Sequence, residues 1–156
     1  MSIYVLNCED KKYYIGKSEN LGNRIKEHFD GNGSVWTTKY KPLGVVEILK
    51  NGNKYDEDRY VLSYMEKYGI DNVRGGSYSQ IELTNKQKKY LERQIATANN
   101  LCFRCGRKGH FANKCFAKTH INGKKLESQV CMRCLRIGHT IDQCYAKTKS
   151  NGKKIN

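Results

Sequence analysis

Hydrophobic and polar positions fall into short blocks along this chain rather than one sustained period. Residues 2–8 and 12–16 are β-branched and aromatic runs joined by the charged connection Glu9-Asp10-Lys11, which predicts a β-hairpin with a longer loop. Gly16 ends the second run, and Ser18 is placed to N-cap a helix over residues 19–29. Leu21, Ile25 and Phe29 make an i, i+4, i+8 stripe on that helix, with Arg24 and His28, also four apart, bordering the buried face and pointing toward the hairpin. After the turn-rich break at 30–34, Gly44-Val45-Val46-Glu47-Ile48-Leu49 reads as a third strand. Residues 56–68 have helical periodicity, with Asp56 as N-cap and Val61, Leu62, Met65 and Tyr68 on one face. A Thr84-x-x-Gln87 capping box starts a last helix over 84–100, carrying Tyr90, Leu91 and Ile95 on one side. The pattern describes an α+β fold: a small three-stranded mixed sheet flanked by helices over residues 1–83, then a helix and linker over 84–100.

Several polar positions near these elements carry candidate chemistry. Tyr4 and Tyr14 fall on the two hairpin strands, so their hydroxyls can sit side by side. Trp36 reads as core packing, while Thr37 and Lys39 are placed to meet a phosphate. Besides the cap Asp56, three acids share the helix over 56–68, and Glu57, Asp58 and Glu66 each stand four residues from a position on its apolar face, so periodicity does not choose among them. The Gly75-Gly76 pair fits a close backbone approach to a ligand and a plain tight turn equally well.

Beyond residue 100 the pattern changes. Cys102, Cys105, His110 and Cys115 have the C-x2-C-x4-H-x4-C spacing of a zinc knuckle, and Cys131, Cys134, His139 and Cys144 repeat it 29 residues later. The repeat continues past the ligands, since Ala117-Lys118-Thr119 matches Ala146-Lys147-Thr148 and Asn122-Gly123-Lys124-Lys125 matches Asn151-Gly152-Lys153-Lys154. A Cys-x-x-Cys turn supplies two sulfurs, and the following His and Cys close a tetrahedron around Zn²⁺. Two CCHC knuckles are therefore expected, over 101–125 and 130–154, with two structural zinc ions and no open coordination position. Phe103 and Phe111 in the first knuckle, and Met132 and Ile141 in the second, stand at equivalent positions for stacking unpaired bases, with Arg104 and Arg133 beside them. Cys8, the remaining cysteine, reads as a small buried hydrophobe.

Charge sharpens the reading of the tail. The chain carries +14 overall, and residues 101–156 hold 13 Lys and Arg against 2 acidic residues, a balance of +11. Such an excess attracts phosphate polymers, and the tail shows no amphipathic helix or lipidation motif that would direct it to a membrane. No apolar run approaches the roughly 18–20 residues of a membrane span, and Asn7, Glu9 and Asp10 interrupt any signal-peptide core. The expectation is an intracellular protein, nuclear or cytoplasmic and not secreted, in which reduced thiols bind metal.

Taken together, Ser2-Ile3-Tyr4, Tyr14-Ile15-Gly16 and the helix motif Asn20-Leu21-x-x-Arg24-x-x-x-His28 resemble the GIY-YIG endonuclease family over roughly residues 2–78, with Ser2 standing where that family has Gly. The resemblance selects Glu57 as the metal-binding glutamate and pairs it with Asn72. It implies a divalent-metal-dependent endonuclease using one Mg²⁺ or Mn²⁺ held by Glu57. Tyr4, assisted by Tyr14 or His28, would orient or deprotonate the attacking water, with Lys17 or Arg24 lowering the phenol's pKa, and Arg24 would pair with the phosphate. The implied partner is nucleic acid, DNA ahead of RNA, held by the basic knuckles. The alternative is an inactive GIY-YIG scaffold in a nucleic-acid-binding protein, which the Ser2 departure favours.

Overall fold

Ile3, Tyr4, Val5 and Leu6 are buried in succession, so both faces of this strand are covered and it lies inside a sheet rather than at its edge. The computed structural model describes residues 1–127, 130–139 and 141–155, which divide into two compact units, 1–91 and 92–156.

In the first unit, β1 (Ser2–Cys8) pairs antiparallel with β2 (Lys12–Ser18), setting Tyr4 opposite Gly16 and Leu6 opposite Tyr14. On its other side β1 pairs antiparallel with β3 (Pro42–Leu49). The sheet has four strands, not the three that the hydrophobic pattern predicts, in the order β3-β1-β2-β4. The added strand, β4 (Val73–Gly75), runs parallel to β2 and makes the sheet mixed. The glycine pair reads equally as a ligand approach and as a tight turn, and pairing with a distant partner makes residues 73–75 a strand. An added Cβ at Gly75 would stand 2.0 Å from the Ile15 carbonyl oxygen, and one at Gly76 2.1 Å from Asp58 Oδ1. The two glycines therefore let β4 close on β2 and let the following turn reach α3.

Helix α1 (Leu21–Phe29) starts two residues later than expected, and Asn20 is its cap, its side chain accepting from the Asn23 N–H. Ser18 Oγ instead accepts from the Asn20 N–H. Residues 35–39 form a short helix, α2 (Val35–Lys39), entered through a Ser34/Thr37 capping box. Leu21, Ile25, Trp36, Tyr4, Leu6 and Tyr14 form one core on this face of the sheet. Phe29 is 47% exposed, whereas His28 is fully buried, so α1 is rotated from the orientation its apolar stripe implies.

Helix α3 (Asp56–Tyr68) lies against β2 and β4 and buries Val61 and Met65. Its cap position is Tyr55, one residue before the expected Asp56, whose carboxylate accepts from the Asn53 N–H and pairs with Arg59. Buried Arg74 stacks on Trp36 at 4.7 Å and donates to the carbonyls of Ile70, Val73, Gln80 and Ile81. These bonds fasten the segment after β4 to the core. Helix α4 (Asn85–Ala98) opens with the predicted Thr84/Gln87 box, and Leu91 is buried while Tyr90 is exposed. Among the described residues no helix is long and apolar enough to cross a membrane.

Candidate active site and zinc sites

The hairpin register decides where the two phenols go. Tyr4 and Tyr14 point to the same face of the sheet, 6.5 Å apart between ring centroids. Gly16 lies directly under the first, and a Cβ there would stand 2.3 Å from the Tyr4 hydroxyl. His28 enters from α1, its Nε2 2.7 Å from the Tyr4 hydroxyl and its Nδ1 2.8 Å from Thr37 Oγ1. A Cβ on Gly33 would meet Nδ1 at 2.0 Å, so the loop before α2 also needs glycine.

This network assigns the histidine's proton. With the Thr37 hydroxyl donating to the Ser34 carbonyl at 3.2 Å, its lone pairs face the Ser34 N–H and His28 Nδ1, the arrangement that suits a proton on Nδ1. The Arg24 guanidinium stands near enough to the Tyr4 oxygen to oppose the rise in its pKa. In that tautomer the Tyr4 hydroxyl donates to unprotonated His28 Nε2. Burial, and then the Arg24 charge, lowers the His28 pKa to about 4, so the imidazole is neutral near pH 7. Sequence reasoning placed Thr37 at a phosphate; it is buried and orients His28 instead. The Ser34-x-x-Thr37 spacing was the available signal.

The expected depression of the phenol is overturned. Burial pushes Tyr4 above its ordinary range, with the charges of Tyr14 and Glu57 adding and Arg24 opposing. Tyr14 is also raised by burial, against Arg24 and a hydrogen bond from Ser34. Arg24 meanwhile pairs with Glu27 at 2.6 Å and donates to the Gly33 carbonyl. Both phenols therefore hold their protons near neutral pH.

Of Glu57, Asp58 and Glu66 on α3, Glu57 joins this group. Its side chain is 13% exposed, pairs with Lys17 at 3.2 Å and contributes to the fields at both phenols. Asp58 accepts from the Ser77 backbone and hydroxyl instead, and Glu66 is exposed. Asn72 does not join. It accepts from Lys12 at 2.7 Å and donates to the Tyr68 carbonyl, tying the end of α3 to the start of β2. Lys12 and Lys17 stand at opposite ends of β2, roughly 16 Å apart at strand rise. The structure thus assembles Tyr4, Tyr14, Arg24, His28 and Glu57 and leaves Asn72 outside them. One carboxylate among hydroxyl and guanidinium groups suits a hard divalent cation that keeps most of its water ligands.

In the second unit the donor atoms of Cys102, Cys105, His110 and Cys115 all lie within 4.8 Å of one another, as do those of Cys131, Cys134, His139 and Cys144. Those spacings fit tetrahedral Zn²⁺ with sulfur and imidazole ligands. The imidazoles present Nε2, which lies 3.3 Å from Cys105 Sγ in the first site and 3.1 Å from Cys134 Sγ in the second. Arg104 and Arg133 turn inward. Arg104 donates to Cys115 Sγ at 3.3 Å and to the carbonyls of Cys115, Ala117 and Glu127, and Arg133 to the carbonyls of Cys144 and Ala146. Burial pushes the Cys115 thiol up, but the Ala117 N–H and Arg104 outweigh it and bring it down to about 6. Phe103 and Phe111 are exposed, as are Met132 at 79% and Ile141. Arg93 of α4 lies 4.4 Å over the Phe103 ring.

A family model described as the GIY-YIG catalytic domain matches residues 1–100, and one described as a GAG-polyprotein viral zinc-finger matches residues 98–130. A UPF0213 protein of Halalkalibacterium halodurans is 28% identical over 81 residues, 49% of this chain and 86% of that protein. A UPF0213 protein of Clostridium perfringens is 30% identical over 67 residues, 42% of this chain and 72% of its own length. UvrABC system protein C of Treponema denticola is 27% identical over 89 residues, 53% of this chain but 14% of that protein. No solved structure matches.

Proposed function

From the premise that this chain belongs to the GIY-YIG family of nuclease-type catalytic domains, we propose that it is a divalent-metal-dependent endonuclease that cleaves phosphodiester bonds, DNA ahead of RNA, with its zinc knuckles gripping the substrate. The observation that carries this reading is the hydrogen-bonded chain from Tyr4 through His28 to Thr37, beside Arg24 and Glu57. Glu57 would hold Mg²⁺ or Mn²⁺, which when bound supplies positive charge against the phosphate and the leaving oxygen. Arg24 donates to the non-bridging oxygens, exchanging its exposed bond to Glu27 for one to the phosphate. The Tyr4 oxygen accepts a proton from the attacking water as its own proton passes to His28 Nε2. The imidazole ends positively charged and the phenol ends neutral. An entering phosphodiester adds negative charge, which opposes the burial that keeps His28 unprotonated. Tyr14 packs beside the relay, and Asn72 acts as a positioning residue for α3.

The test is a cleavage panel of flapped, branched and single-stranded DNA and RNA with Mg²⁺ or Mn²⁺, comparing the parent with Glu57→Gln. The variant should lose on the order of 10²–10³-fold in rate, as when one charge-stabilising group is removed. Equal cleavage by the two proteins would refute the metal assignment, and binding without cleavage by the parent would favour the inactive scaffold.

A further inference from the structure

Zinc binding ends at Cys115 and Cys144, yet the 29-residue repeat runs on for eleven positions in each copy. Residues 116–126 fold back on themselves: the Leu126 N–H donates to the Lys118 carbonyl at 2.9 Å and the His120 N–H to that of Lys124 at 2.8 Å, around a Thr119–Lys125 bridge. The second copy repeats the ladder, from Ile155 to Lys147 at 3.0 Å and from Lys149 to Lys153 at 2.7 Å, around a Thr148–Lys154 bridge. Both turns use a glycine with positive φ, Gly123 at 87° and Gly152 at 83°. In both an asparagine side chain accepts from the backbone N–H two residues on, at 3.0 and 3.2 Å. Each hairpin is pinned to its zinc site. Arg107 and Arg136 donate to the carbonyls of Thr119 and Thr148, and the N–H groups of Ile121 and Ser150 donate to those of Cys105 and Cys134.

The result is a rigid turn presenting exposed Lys124-Lys125 in one copy and Lys153-Lys154 in the other. Adjacent strand residues project to opposite faces, so each tip carries a cation on both sides. Residues 116–126 contain three lysines and residues 145–155 four, with no acidic residue in either. Like charges held in one turn repel, and a polyanion laid across the tip relieves that repulsion. Resting on the reading that the knuckles hold the substrate, we propose that the two Asn-Gly-Lys-Lys tips are phosphate clamps for single-stranded nucleic acid, separate from the apolar side chains of the zinc loops.

The experiment measures binding of fluorescein-labelled oligothymidylate and oligouridylate, roughly 20 nucleotides long, to the full chain by anisotropy from about 50 to about 300 mM NaCl. Replacing Lys124 and Lys125 by Gln should reduce the slope of log affinity against log salt by about 1.4. The same change at Lys153 and Lys154 should match it, and all four should reduce it by about 2.8. Bound zinc should stay at two ions per chain, one for each ligand set. An unchanged slope in the four-Gln protein, or a loss of zinc that accounts for its weaker binding, overturns the proposal. So does displacement of the oligonucleotide by polyglutamate at equal charge, which would make an acidic protein the partner. A parent chain that binds neither oligonucleotide at any salt refutes the underlying reading of the knuckles instead.

Discussion

Neutral His28 is the premise of the proton relay, and it has a cost that stability measurements can read. With a folded pKa of about 4 against an ordinary value of about 6.5, the unfolded chain binds a proton that the folded chain refuses. Stability therefore rises with pH wherever the unfolded state holds more protons, which here is between about pH 4 and about pH 6.5. The His28 contribution is fully present above that window and is lost as pH falls through it. Going from about pH 7 to about pH 5 should remove about 2 kcal/mol. With an m-value of about 1.5 kcal/mol/M, the urea midpoint should fall by a little over about 1 M.

The assay is favourable in this chain. Trp36 is the one tryptophan, lies in the first unit and is buried, so its fluorescence reports the unfolding of that unit. His28 is the one histidine in residues 1–91. His28→Gln removes the titrating group, and whatever stability it loses overall, its pH dependence across this window should be smaller by about 2 kcal/mol. Carboxylates titrate alike in both proteins and cancel in the comparison. If parent and variant lose the same stability between the two pH values, His28 is not held neutral by its surroundings and the relay through Nε2 is refuted.

Two further outcomes follow from the packing. Gly75→Ala should destabilise the first unit by roughly 2–3 kcal/mol, because a Cβ would stand 2.0 Å from the Ile15 carbonyl at a φ of 144°; a urea midpoint within error of the parent's would refute this account of β4. Arg104→Ala should weaken zinc binding at the first knuckle by about 10–100-fold, since it removes the donor to Cys115 Sγ and to three carbonyls; chelator competition monitored per site would detect it, and unchanged affinity would return Arg104 to the candidate nucleic-acid contacts.

How far each feature can be read from sequence depends on how local its cause is. The zinc sites are legible because four ligands within fourteen residues close one tetrahedron, and a 29-residue repeat confirms the spacing. The Thr84/Gln87 box is legible for the same reason. β4 is not, because its strand character comes from pairing with β2 some sixty positions earlier. The rotation of α1 is not legible either: periodicity turns Phe29 inward, whereas the structure buries His28, because Tyr4 and Thr37 take both ring nitrogens. Those partners come from two separate elements, β1 and α2, and no window along the chain contains both with His28.

The arginines carry this reasoning to function. Counted by composition, Arg24, Arg74, Arg104 and Arg133 are equal contributions to a basic chain. Arg74 and Arg104 each face several backbone carbonyls, and Arg133 faces two, so removing any of them would leave buried acceptors unpaired. A phosphate would have to break those bonds to reach them. Arg24 differs, because its strongest partner is the half-exposed carboxylate of Glu27, an ion pair of the kind worth at most about 1 kcal/mol. It can exchange that partner for a phosphate at small cost. Charge available for binding is therefore smaller than charge counted, and it is concentrated where backbone carbonyls hold it least: at Arg24 beside the phenols, with one long bond to the Gly33 carbonyl, and at the lysines of the two hairpin tips.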